Sequence, residues 1–192
     1  YLNNHSTIMK KQTTHNASIA NQLLSEKTMN IAYIAIIIFA FIAVYYYIFD
    51  SKLDLNGDNF NYLNYAKSIM IGNGYSSPYN ADYPPTNWYP PGYSTILAIA
   101  MLIVGENVIL LKIINGLFLL GAILLFYQLM TKLTKNAAFA FSISILLLLN
   151  SGLLRLSTII MSEIPYIFFS VLAFYCVLKL IDISNFLKSK YF

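Results

Sequence analysis

Met29 to Phe49, "MNIAYIAIIIFAFIAVYYYIF", contains no charged residue. At about twenty residues it is long enough for a helix to cross a bilayer. A helix that is apolar all round has to be surrounded by protein or by lipid. The run lacks the small-residue cleavage pattern of a secretory signal and closes on Tyr45, Tyr46 and Tyr47, rings suited to a membrane interface. It is therefore retained as the first span.

Three further spans follow. Val108 to Met130 is the second, interrupted near its start by Lys112. Ala137 to Leu149 is short and reaches the length of a bilayer only by extending through "NSGLL"; it is the third. Ile164 to Ile181 is the fourth, with Pro165 in its first turn, where a missing amide hydrogen costs nothing. A chain that is 58% hydrophobic and 10% charged is not an ordinary soluble domain. Its net charge of +4 does not point to nucleic acid, because the lysines lie at the edges of apolar runs and form no basic face. The fold class expected is an all-α membrane protein of about four transmembrane helices, with amphipathic surface helices in its first outer loop.

Lysines orient these spans. Lys10, Lys11 and Lys27 precede the first, Lys132 and Lys135 separate the second from the third, and Lys179, Lys188 and Lys190 end or follow the fourth. Alternating crossings bring all three groups to one side, the cytoplasmic side by the positive-inside rule. The N-terminus is then cytoplasmic, and residues 50–107 and 155–163 face the periplasm or the cell exterior. Residues 1–28 are polar, without a clear apolar period, and read as a disordered cytoplasmic tail. Residues 29–192 form the transmembrane domain. Pro91 to Gly105, about fifteen residues, is too short to span, and as a fifth crossing it would put Lys132 outside. It is read as a helix on the outer membrane surface.

The outer loop holds the first candidate for chemistry. After Asp58, residues Phe60, Leu63, Ala66 and Met70 follow helical spacing with polar residues between them, and Gly72 and Gly74 suit a left-handed C-cap. Asp58 is placed at the N-cap, where an aspartate is ordinarily just a cap. Its position shortly after a span also sets it at the depth of a lipid-linked head group. Trp88, Tyr89 and Tyr93 lie beside two Pro-Pro pairs; each is an interface anchor in the ordinary reading, and together they offer faces for a sugar ring.

Arg155 and Glu163 are the only charges between Lys135 and Lys179. Glu163 follows Ser162 in a helix start, the ordinary reading of such a pair. Ionisable groups near a membrane core are nevertheless functional candidates. Arg155 can pair with Glu163 or hold a phosphate in its planar fork. The single cysteine, Cys176, gives no disulfide or metal-ligand spacing and reads as a buried small hydrophobe.

"GD-x-x-x-Y-L-x-x-A" (Gly57, Asp58, Tyr62, Leu63, Ala66), then "PPGY", then "MSEIPY" resembles the N-terminal part of a multi-pass glycosyltransferase of the GT-C fold. The branch it is most similar to holds the protein mannosyltransferases and aminoarabinose transferases. The resemblance runs from about Met29 to the end of the chain. It implies transfer of a sugar from a polyprenyl-phosphate donor to a lipid, glycan or protein acceptor on the outer face, with Asp58 as the essential acidic residue and Glu163 as the second. Polyprenyl phosphate is a stable leaving group, so one base to take the acceptor's proton suffices and the anomeric centre inverts. Arg155 or a divalent metal stabilises the departing phosphate; no other cofactor is implied. This sequence departs from the family pattern at Asn59, where many members have a second acid, and at Tyr89, where the aminoarabinose enzymes have a basic residue. Family members continue with more spans, which implies a fragment; separately, a first residue that is Tyr1 and not methionine leaves Met9 and Met29 as alternative natural starts. The competing readings are a transporter fragment and a non-catalytic subunit that binds a lipid-linked glycan.

Overall fold

The computed structural model describes residues 2–52, 57–77, 79, 82 and 84–191, with side chains between 25 and 183 among them. Seven helices follow in order: α1 (Leu2–Ile48), α2 (Asp58–Met70), α3 (Pro91–Val104), α4 (Val108–Thr134), α5 (Ala137–Leu148), α6 (Ser151–Ser157) and α7 (Glu163–Tyr191). The described residues add one isolated β-bridge, Ser76 to Pro85. The architecture is the all-α membrane class expected from the sequence. The helix of α1 begins well before the apolar run, in the segment that lacks an apolar period.

Helices α1, α4 and α7 are long and apolar enough to cross a membrane. Contacts at both ends of the bundle show how the rest returns. At one end the Tyr127 hydroxyl of α4 donates to Asn30 Oδ1 of α1 at 2.6 Å. There Tyr33 stacks on Phe141 of α5, with ring centroids 4.6 Å apart, and Lys132 pairs with Asp182 of α7. At the other end the Tyr45 hydroxyl lies 2.9 Å from the Lys112 carbonyl and 3.2 Å from that of Ser157, at the end of α6. Asn115 Nδ2 of α4 donates to the carbonyls of Leu156 and Ile159 at 3.1 and 2.7 Å. Helix α5 thus starts level with Tyr33, and α6 finishes level with Tyr45. Together they make the third crossing in chain order, and the ends of α4 and α7 that bear Lys132 and Lys179 share one side with the start of α1.

The sequence predicts that third span as one helix; it is broken, with α5 and α6 bent by 63°. Asn150 causes the break. Its backbone is extended (φ −67°, ψ 110°) and its Oδ1 accepts from the Leu153 amide at 3.0 Å, which opens a new helix. Replacing such a cap by alanine costs about 1 kcal/mol. Asn150→Ala is expected to lower the unfolding midpoint in detergent accordingly, and an unchanged midpoint would show that the cap does not hold the break.

Two residues bring α1 against α4. Lys112 interrupts an apolar run, and its stem is buried with only 2% exposed. Its Nζ donates to the Asp50 carbonyl at 2.8 Å and also to that of Lys52, which ties the exit of α1 to α4. Gly116 receives the hydroxyl end of the Tyr45 ring so closely that a Cβ there would collide with it. Outward faces are left to lipid: α1 and α7 bury only 11% of their apolar windows within the protein. Cys176 lies on such a face. The sequence reading buried it, but it is exposed on α7, because hydrocarbon tails satisfy an apolar side chain as well as a protein core does.

Helices α2 and α3 cover the Tyr45 end. Tyr62, Leu63 and Ala66 of α2 pack on Tyr93, Leu97, Ala98 and Met101 of α3, over Leu111 and Ile160. On the far side of α3, Ile99, Leu102 and Ile103 are 57%, 73% and 80% exposed. A short helix with one apolar face on protein and another exposed suits a membrane surface. Gly72 ends α2 as the sequence predicts: with φ 90° its amide bonds the Ile69 carbonyl at 3.1 Å, and the Asn73 amide bonds that of Ser68 at 3.0 Å. This is the paired closure of a Schellman motif.

Candidate active site

Asp58 does not cap its helix. Gly57 takes the N-cap with φ 81° and no side-chain cap bond forms; Asp58 is the first helical residue, and its Oδ1 accepts from the Tyr89 hydroxyl at 2.6 Å. The sequence places this carboxylate on backbone amides, whereas a phenol from thirty-one positions further along competes successfully for it. The second oxygen, Oδ2, receives no donor among the described residues.

Tyr89 is itself firmly held. Asn61 Nδ2 donates to its hydroxyl at 3.3 Å, and its carbonyl accepts from the Tyr75 hydroxyl at 2.8 Å. Its ring lies 5.1 Å from that of Tyr62 and 6.1 Å from that of Tyr65. The hydrogen bond to Asp58, followed by other smaller effects, pushes the Tyr89 phenol above its ordinary value, because the carboxylate favours the protonated partner. The Tyr-Pro-rich stretch therefore folds back onto α2 instead of running free. The Ser77 amide bonds the Pro84 carbonyl at 2.9 Å, and Ser68 and Ser76 join through their hydroxyls at 2.5 Å.

The fold-back leaves a cleft of about 490 Å³, lined among others by Asn61, Tyr65, Tyr79, Thr86, Trp88 and Tyr89. Trp88 is 83% exposed at its edge. A second cleft of about 430 Å³ lies between α2, α3 and α7, where Tyr62, Tyr93, Ser162, Glu163, Tyr166 and Phe169 meet. Tyr89 lines the first, Tyr62 the second, and the contact between their rings makes a common wall.

Asp58 lines neither cleft and reaches this wall only through the Tyr89 hydroxyl, whereas Glu163 lines the second cleft. Four residues on from Asp58, the Tyr62 hydroxyl meets Ser162 Oγ at 3.0 Å, and Glu163 is the next residue. The sequence predicts Ser162 as a cap; its carbonyl does accept the first helical bond, from Tyr166 at 3.0 Å, while its hydroxyl goes to Tyr62. A double-mutant cycle of Tyr62→Phe and Ser162→Ala is expected to give a coupling of about 0.5–1.5 kcal/mol. Strict additivity would mean that α2 and α7 are not joined there.

Tyr93 is only 6% exposed, with its ring 5.0 Å from that of Tyr62 in an edge-to-face contact. Its hydroxyl has no partner among the described residues. Burial first, and the nearby Tyr62 and Glu163 charges after it, push this phenol well above its ordinary value. Arg155 is exposed in the last turn of α6 and lines neither cleft. Among the described residues the ion pairs are Lys67–Glu106 and Lys132–Asp182, so Arg155 is not neutralised by Glu163. Asn59, at the position of the missing second acid, is 4% exposed, and its Oδ1 has no partner among the described residues. A charge there would be expensive to bury. Among the described residues no three His, Cys, Asp or Glu side chains converge, and a metal at the phosphate gains no ligand set from them.

The candidate residues thus divide into Tyr89 and Trp88 in the first cleft, with Asp58 bonded behind Tyr89, and Glu163 in the second cleft across a tyrosine wall. Sequence reasoning missed Asn61, Tyr75 and Ser162 as parts of the site, and used Tyr62 only as a motif position. Each acts through a tertiary contact, which local spacing does not encode.

A family model described as dolichyl-phosphate-mannose-protein mannosyltransferase matches residues 87–192, more than half of the chain. The match takes in Trp88, Tyr89, Tyr93, Arg155 and Glu163, and begins after Asp58. No curated protein and no solved structure matches significantly.

Proposed function

We propose a reaction from the premise that this chain belongs to the dolichyl-phosphate-mannose-protein mannosyltransferase family, a family of membrane glycosyltransferases. The protein moves a sugar from a polyprenyl-phosphate carrier to an acceptor hydroxyl, at the membrane face that carries α2 and α3. That face is the periplasmic or extracellular one by the lysine distribution. The observation that carries this reading is the Asp58 carboxylate, fixed through Oδ1 by Tyr89 beside an aromatic cleft and joined through Tyr62 and Ser162 to Glu163.

The acceptor oxygen attacks the anomeric carbon from the side opposite the phosphate. As the new C–O bond forms, the bond from carbon to phosphate oxygen breaks, the polyprenyl phosphate leaves with the electron pair, and the acceptor's proton passes to Asp58 Oδ2. Configuration inverts. Trp88 offers its exposed face to the sugar, and Glu163, across the Tyr62–Tyr89 contact, holds a part of the acceptor remote from the attacking oxygen. Arg155, with no carboxylate partner among the described residues, approaches the phosphate, which its guanidinium binds in a bidentate way.

Membranes that hold the protein are expected to transfer label from a radiolabelled polyprenyl-phosphate sugar to an acceptor; no transfer above that of membranes lacking it contradicts the reading. A charged hydrogen bond is worth about 1.5–3 kcal/mol, roughly tenfold to a hundredfold in affinity. Arg155→Ala is expected to raise the KM for the donor by that factor, and an unchanged KM would remove Arg155 from the site.

A further inference from the structure

We propose that Tyr89 is a positioning residue: its hydroxyl holds Oδ1 of Asp58 and so presents Oδ2 to the acceptor. The sequence reading gave Tyr89 the role of a sugar platform, but three observations give it another. Its hydroxyl is committed to the Asp58 carboxylate at 2.6 Å and receives a second bond from Asn61 at 3.3 Å. Its half-buried ring packs against both Tyr62 and Tyr65, contacts that hold its rotamer toward Asp58. Its backbone is pinned through the Tyr75 hydroxyl at 2.8 Å.

A carboxylate at the start of a surface helix has two competing uses for its oxygens. Without a side-chain donor it can turn back to the free amides of the first helical turn, where both oxygens point away from a substrate. The Tyr89 hydroxyl removes that option by taking one oxygen. A phenol serves better here than a basic side chain. It donates one hydrogen bond without bringing a positive charge, which would form an ion pair with Asp58 and weaken it as a proton acceptor.

This inference rests on the transfer reaction proposed above and is tested alongside it. In the full chain, Tyr89→Phe removes the hydroxyl and keeps the ring contacts. Loss of a hydrogen bond to a charged group corresponds to about tenfold to a hundredfold. The expected result is a fall of that size in kcat and in kcat/KM alike, with the donor KM unchanged, the pattern of an interaction made in the transition state. A sugar platform would instead raise KM. Tyr89→Phe with wild-type kcat, measured where Asp58→Asn is inactive, overturns the positioning role and leaves the transfer reading standing. Wild-type kcat in both variants overturns both. Should Tyr89→Phe not fold, Asn61→Ala retains the phenol and removes its second anchor; a smaller kcat loss at constant KM supports the role, and an unchanged kcat overturns it.

Discussion

Asp58→Asn is expected to lower glycosyl transfer by about 10²–10⁴-fold, the range that a positioned general base contributes. The substitution is nearly isosteric, and its amide oxygen can still accept from the Tyr89 hydroxyl, so the fold of α2 over α3 survives. What disappears is the ability to take a proton. Because no side-chain cap bond forms at this helix start, the variant loses only the interaction of the carboxylate with the helix dipole, about 0.3–1 kcal/mol, and the unfolding midpoint separates that small loss from the loss of activity. The measurement is initial-rate transfer from a labelled polyprenyl-phosphate sugar, with the unfolding midpoint of the same preparation. Wild-type activity in Asp58→Asn would exclude Asp58 as the proton acceptor. Glu163→Gln is expected to fall less, since the proposed reaction gives Glu163 the orienting of the acceptor and not the receipt of its proton.

Gly116→Ala is expected to be the most destabilising small substitution in the bundle. The added methyl meets the ring of Tyr45, which cannot slide away because its hydroxyl is bonded to carbonyls of both α4 and α6. Overpacking costs about 1–3 kcal/mol, and displacement of the Tyr45 hydroxyl adds about 1 kcal/mol. Denaturant unfolding in detergent measures the loss. If the clash is the cause, replacing Tyr45 by leucine in the Gly116→Ala background recovers part of that stability. An equal loss with and without Tyr45 would place the cause elsewhere.

Those two residues mark how far the sequence was legible. Composition and run length were enough for the spans, because an uncharged stretch such as Met29 to Phe49 has few places to go. Gly72 was legible as a helix terminator, since a positive φ is a local demand that glycine meets cheaply. The break at Asn150 was half visible: the span was too short, but the sequence did not say that a capping asparagine would divide it. Asp58 was identified as a candidate and misassigned as a cap, because the residue that claims its carboxylate lies in another segment. The partners of Tyr45, Lys112 and Ser162 were illegible for the same reason. They are distant in sequence, and each resolves a polar group's need for a partner only once the bundle is assembled.

The common face of positions 58 and 163 carries the rest, and accessibility tests it directly. In a Cys176→Ser background, single cysteines are placed by Asp58→Cys, Glu163→Cys and Lys135→Cys and labelled with a membrane-impermeant maleimide in sealed vesicles of known orientation. Positions 58 and 163 are expected to react from the same side and position 135 only after the opposite side is opened. Reaction of 58 and 163 from opposite sides of the membrane would contradict a shared active site.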